Sequence, residues 1–118
     1  MAEERTSGEA LSRGDVVWVQ PEIAVGREQS GRRPALIVAS VAYLATVDTL
    51  ALVVPITTVD RGWPNHIEVV GSRLEQRSWA MSEQVRTISR ERLVAHAGRA
   101  NEATLAAVRS WFADFLDI

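Results

Sequence analysis

Cysteine is absent from this 118-residue chain, and so is lysine. Without a thiol there is no disulfide, no thiolate nucleophile and no cysteine-zinc site. Histidine is scarce, with two copies. His66 and His96 are far apart in sequence and give no evident general acid-base pair, and each reads as a strand residue with a satisfied ring. No close His or Asp cluster has metal-ligand spacing, so neither metal nor cofactor is expected. Long hydrophobic runs are missing as well. Residues 1–13 are acidic and polar where a signal peptide needs a basic and then an apolar stretch, so a cytoplasmic protein with no membrane contact is expected.

A net charge of −2 argues against a basic coat for nucleic acid. The distribution says more. All thirteen basic residues are arginines, and nine of them lie between Arg27 and Arg92 against seven carboxylates, which allows a locally basic face.

Residues 1–13 read as a flexible tail, too poor in apolar groups to offset the entropy of ordering. The remainder, 14–118, reads as a single domain. Val16–Val19 is a short β-branched and aromatic strand stopped by Gln20-Pro21. Ala35–Ala39 and Thr49–Ile56 are apolar strands, and 41–48 is ambiguous. His66–Val70, Trp79–Ile88 and Val94–Ala97 complete the strands, with Ser89 capping one turn between the last two. Asn101 is a good N-cap. Leu105, Val108, Phe112, Phe115 and Leu116 then recur at helical spacing, predicting an amphipathic helix over 102–116. Short strands with one terminal helix indicate a mostly β (α+β) fold, a small curved sheet or SH3-like barrel capped by that helix.

The chemically suggestive stretch is Gly26-Arg27-Glu28-Gln29-Ser30-Gly31-Arg32-Arg33-Pro34. Glycines shape a polar loop, and Pro34 presses Arg33 into an extended conformation where loop becomes strand. A guanidinium mounted there suits a phosphate or a carboxylate, because its planar fork bonds bidentately and is always charged. The plain alternative is an ion pair with a neighbouring carboxylate. Trp63, in the turn Arg61-Gly62-Trp63-Pro64, is suited either to stack on a base or to pack on the core. Trp18, Trp79 and Trp111 lie within elements, as core or dimer contacts. Arg61, Arg73 and Arg77 read either as tracking a phosphate backbone or as solvated loop charges.

From Arg13 to Ile118 the chain resembles the MazF/PemK toxins of toxin–antitoxin pairs. Arg13-Gly14-Asp15 and the strand after it, the loop ending Gly31-Arg32-Arg33-Pro34, Pro55-Ile56-Thr57-Thr58 and Glu83-Gln84-Val85-Arg86-Thr87-Ile88 match that family's motifs in order. The resemblance implies a MazF/PemK/CcdB-like barrel. It implies a homodimer that cuts single-stranded RNA at short sequences without a metal, under control of an antitoxin with an acidic C-terminal tail. It assigns phosphate binding to Arg33, a hydrogen bond to a phosphoryl oxygen to Thr57, and to Glu28 the role of base or of orienting Arg33. Arg27, Gln29, Ser30, Arg32, Thr58, Arg61, Trp63, Glu83, Gln84 and Arg86 are the expected RNA contacts.

The sequence also departs from the pattern. One branch of the family carries an arginine two residues before the acidic residue of the Glu-Gln strand, where this chain has Met81. The loop serine is Arg27, and the residue commonly aspartate at the end of the first strand is Gln20. Two other functions suit such a fold: a gyrase-poisoning toxin, or a non-catalytic interaction module. A gyrase poison has no need of Arg33 beside Thr57, and the polar loop is wrong for an apolar peptide groove.

Overall fold

The computed structural model describes residues 10–21 and 31–118. β1 (Asp15–Val19), β2 (Arg33–Ile37), β3 (Leu50–Thr57), β4 (His66–Glu68), β5 (Trp79–Met81), β6 (Arg86–Ser89) and β7 (Leu93–Arg99) form one antiparallel sheet in the order β4-β5-β3-β2-β1-β7, with β6 beside β3. β3 organises it. Its first half pairs with β6, over Leu50–Val53, and its end with β5, at Ile56 and Thr57. Pro55 falls at the change of partner, where a missing N–H costs least.

The expected barrel does not close by a ladder. After β4 the chain reaches β7 through a single bridge, Ser72 to Gly98. The Leu74 N–H bonds to the Ser72 hydroxyl at 3.2 Å, and the Val70 N–H to that of Thr104 at 3.2 Å, so side chains take groups a ladder would need. Gly98 permits the approach. Its φ is +88°, and a Cβ there would lie 2.9 Å from Arg73 N.

Each face of the sheet has its own core. One gathers Val17, Val19, Ala35, Ile37, Ala51, Val53 and Ile88 with Leu44 of α1 (Val41–Thr46). The other gathers Val16, Leu36, Val54 and Ile56 against Leu105 and Val108 of α2 (Glu102–Leu116). Leu11 packs in the first core at 8% exposure, although the sequence places it in a tail.

The ambiguous 41–48 segment is helical because both its ends are satisfied. The Ser40 hydroxyl accepts the Tyr43 N–H, and the Arg90 guanidinium reaches the carbonyls of Leu44, Val47 and Leu50. In α2, Asn101 caps as expected, accepting the Thr104 N–H at 2.9 Å. The apolar stripe is buried only in part, since Phe115 and Leu116 are exposed while Phe112 packs on the second core. No helix of the described residues is long and apolar enough to cross a membrane.

Trp79–Ile88 is not the single strand its alternation predicts. Ser82–Gln84 forms a 3-10 turn between β5 and β6. Ser82, buried, turns both its hydroxyl, at 2.7 Å, and its N–H, at 3.4 Å, to the Asn65 carbonyl, and these bonds replace a ladder.

Candidate nucleic-acid interface

Register brings the predicted residues together. β2 and β3 pair from Ile37–Val53 to Ala35–Pro55, and beyond that ladder Arg33 at the start of β2 and Thr57 at the end of β3 line the same groove. On the other side of β3, Arg86 pairs with Val53. Side chains alternate with period two, so Arg33, Thr57 and Arg86 share the face of Ala35, Val53 and Ile88. One sheet face is therefore apolar at one end and cationic at the other. Between Thr57 and Val53 the separation along β3 is about 13 Å, at ~3.3 Å per residue.

At the cationic end lies a groove of about 1140 Å³ lined by Arg32, Arg33, Thr57, Thr58 and Arg86, with Val19, Ala35 and Pro55 among its apolar lining. Arg33 and Arg32 are exposed. Arg32 is braced, its guanidinium 4.9 Å from the centre of the Trp18 ring. Gly31 lets the chain turn tightly into β2, since a Cβ there would lie 2.8 Å from Pro21 Cγ. The half-buried Thr57 hydroxyl accepts the Val59 N–H at 3.1 Å. Its own proton is thereby left to point at a ligand.

Sequence reasoning missed part of the wall. Arg92 lines the groove with its Nε donating to the Gln20 carbonyl at 2.8 Å, and Glu75, Gln76 and Ser78 line it from the segment between β4 and β5, beside Arg73, which the sequence already offered as a candidate. Only the three-dimensional course of that segment brings it to the groove. Arg77 points elsewhere, forked onto Glu68 at 2.9 and 3.0 Å and stacked on Trp79. That bond holds the Glu68 carboxyl below its ordinary range.

Other predicted contacts lie away from the groove lining. Trp63 is half exposed, tilted against the His66 ring at 4.8 Å with Arg61 over it at 5.9 Å, so it covers a histidine and is not a core residue. Glu83 and Gln84 sit in the 3-10 turn, where Glu83 bonds His66 Nε2 at 3.0 Å and Asn65 Nδ2 at 2.7 Å. The His66 ring is satisfied on one side only, its Nδ1 being buried without a hydrogen-bond partner. Burial raises the Glu83 carboxyl, but the bonds from His66, from its own backbone and from Gln84 outweigh this and hold it below the usual value. His96 Nε2 lies 3.4 Å from Asp15, which Arg99 also binds. Arg27, Glu28, Gln29 and Ser30 lie outside the described residues.

Comparison with known proteins shows the family and the fold. The family described as PemK-like, MazF-like toxin of type II toxin-antitoxin system matches residues 12–116. The endoribonuclease toxin MazF of Escherichia coli K12 is 37% identical over 76 residues, which is 64% of this chain and 66% of that protein's length. The crystal structure of MazF (Form-I) from Deinococcus radiodurans superposes with a TM-score of 0.75 at 27% identity, over 93% of this chain and 99% of that one. A MazE-MazF (Form-II) structure from the same organism gives 0.77 at 25% identity, over 93% and 98%. With its fold and nearly its whole described length accounted for, this chain belongs to the PemK-like, MazF-like toxin family of type II toxin–antitoxin systems.

Proposed function

We propose that the protein is a sequence-specific, metal-independent endoribonuclease toxin that cuts single-stranded RNA, inhibiting translation and growth. The observation that carries this reading is the convergence of Arg33 from β2 and Thr57 from β3 on one groove that Arg32 and Arg86 also line. A strand of RNA laid there meets guanidiniums along its phosphates and an apolar lining for its bases.

In the reaction the ribose 2′-oxygen bonds to the adjacent phosphorus as its proton leaves. The bond from phosphorus to the 5′-oxygen breaks, and that oxygen takes up a proton. The products are a 2′,3′-cyclic phosphate and a free 5′-OH. Negative charge grows on the phosphoryl oxygens meanwhile, and fixed donors stabilise it best in a partly desolvated groove. Arg33 binds the phosphate and the Thr57 hydroxyl donates to a phosphoryl oxygen. Glu28 serves as base or orients Arg33. An antitoxin with an acidic C-terminal tail controls a homodimer, a reading supported by family membership and by the MazE-MazF structure of a relative.

The test is to incubate one long RNA with the purified protein in excess EDTA and sequence the 5′ ends of the fragments. Cutting at a short recurrent sequence should persist, and 2′-deoxyribose at the cut site should abolish it. Loss of cutting in EDTA with recovery on adding magnesium or zinc would refute the metal-free mechanism.

A further inference from the structure

We infer that His66 and Glu83 form a positioning clasp: they hold the turn before β6 so that Gln84 sets the guanidinium of Arg86 at the groove. The expectation that Glu83 touches RNA is replaced by a role at one remove. This inference rests on the proposed reading only for what Arg86 does, since the clasp itself is a matter of side-chain geometry.

Both carboxylate oxygens of Glu83 are engaged. Oε1 accepts from Asn65 Nδ2 at 2.7 Å, and Oε2 lies 3.0 Å from His66 Nε2 and accepts from Gln84 Nε2 at 3.2 Å. The chain of bonds continues outward, with Arg86 Nη2 donating to Gln84 Oε1 at 3.2 Å. A carboxylate only accepts, so Nε2 carries the ring proton. The other ring nitrogen, Nδ1, is buried without a hydrogen-bond partner, so the ring's one polar tie is to Glu83. The His66 side chain is 2% exposed under Trp63, so water does not compete for it. Below, Ser82 ties the same turn to the Asn65 carbonyl.

Each link fixes the next. Asn65 ends the turn before β4 and His66 opens that strand, Glu83 and Gln84 belong to the 3-10 turn, and Arg86 opens β6 opposite Val53. A flexible arginine on an exposed strand start would sample many rotamers. Gln84 narrows them, and Glu83 holds Gln84. The neighbouring Met81 adds a thioether 3.6 Å from Gln84 Nε2 and no charge that would draw Glu83 away.

The experiment uses the full chain, an RNA made uncleavable by 2′-deoxyribose at the cut site, and the variants Glu83→Gln, Arg86→Ala and their double. Side-chain NMR of the Arg86 Nε–H and thermal unfolding accompany the affinities. We expect Glu83→Gln to weaken RNA binding by ~2- to 10-fold, the scale of ordering one rotamer-rich side chain on binding. In the Arg86→Ala background it should have no further effect. The Arg86 Nε–H should become more mobile in Glu83→Gln at a temperature well below the unfolding midpoints of both proteins. His66→Leu should behave as Glu83→Gln does, and His66→Gln, which keeps a donor toward Glu83, should recover most of the lost affinity.

An effect of Glu83→Gln that persists undiminished in Arg86→Ala would overturn the clasp in favour of direct RNA contact. Unchanged Arg86 mobility would overturn it outright. If the parent protein neither binds nor cuts RNA while Arg86 still loosens in Glu83→Gln, the clasp stands and the ribonuclease reading falls.

Discussion

Arg33 stands where its proline places it, the first residue of β2 and exposed to the groove. A donor aimed at developing charge contributes mainly in the transition state. Arg33→Ala should therefore lower turnover by about 10² to 10³-fold, as removal of one such donor does, with a smaller loss of RNA affinity. Thr57→Ala should act in the same direction but more mildly, and Arg33→Lys should recover little because an ammonium lacks the fork. Single-turnover cleavage rates check all three, and cleavage by Arg33→Ala at the parental rate would remove Arg33 from the mechanism. Arg33 and Thr57 were legible because each lies in a contiguous motif. The bond between His66 and Glu83 was not, since it joins residues brought together only by the pairing of β4 with β5.

That bond also has a pH signature. The Glu83 carboxyl titrates below its ordinary value of 4.5, so the folded state prefers the ionised form. Its stabilisation is fully present above that value and is lost as pH falls through the lower, folded-state value. Urea midpoints of the parent should therefore drop more steeply below pH 4.5 than those of Glu83→Gln, and parallel curves for the two proteins would contradict the assignment.

Among the elements, α2 was read to its ends because a cap and a 3.6-residue period are local signals. Asn101→Ala should cost about 1 kcal/mol of stability, the usual loss of such a cap. Val108→Ala, 1% exposed against the second core, should cost about 2 kcal/mol. Chemical denaturation measures both, and a cap variant more damaging than the core variant would reverse this ranking. The strand over Trp79–Ile88 was misread because its alternation is real but is interrupted by side-chain bonds to Asn65, which no window of neighbouring residues contains. The helix 41–46 was undecided for a related reason, as Arg90 closes its end from a distant part of the chain.

For the molecule as a whole, arginines predominate around the groove although the net charge is −2. Such a surface attracts RNA and acidic peptides alike, so a synthetic peptide carrying an acidic, partly apolar antitoxin tail should displace uncleavable RNA. The competition should weaken as salt rises. Fluorescence anisotropy reads it directly, and simultaneous binding of peptide and RNA without mutual effect would show that the tail acts elsewhere. The sheet was foreseeable from strand number and brevity. Its failure to close was not, because that depends on which backbone groups Ser72 and Thr104 occupy.

The division of one sheet face into an apolar end and a cationic end ties correct folding to competence in a way that neither end would alone. Shifting β2 by one residue against β3 would carry Arg33 to the side covered by α2 and bring Leu36 out toward the groove. A buried guanidinium without a partner is severely destabilising, so such a slipped chain would not persist. Copies that survive folding are those in which Arg33 already shares the groove with Thr57. A population purified as folded protein should therefore present Arg33 and Thr57 on one sheet face in every copy.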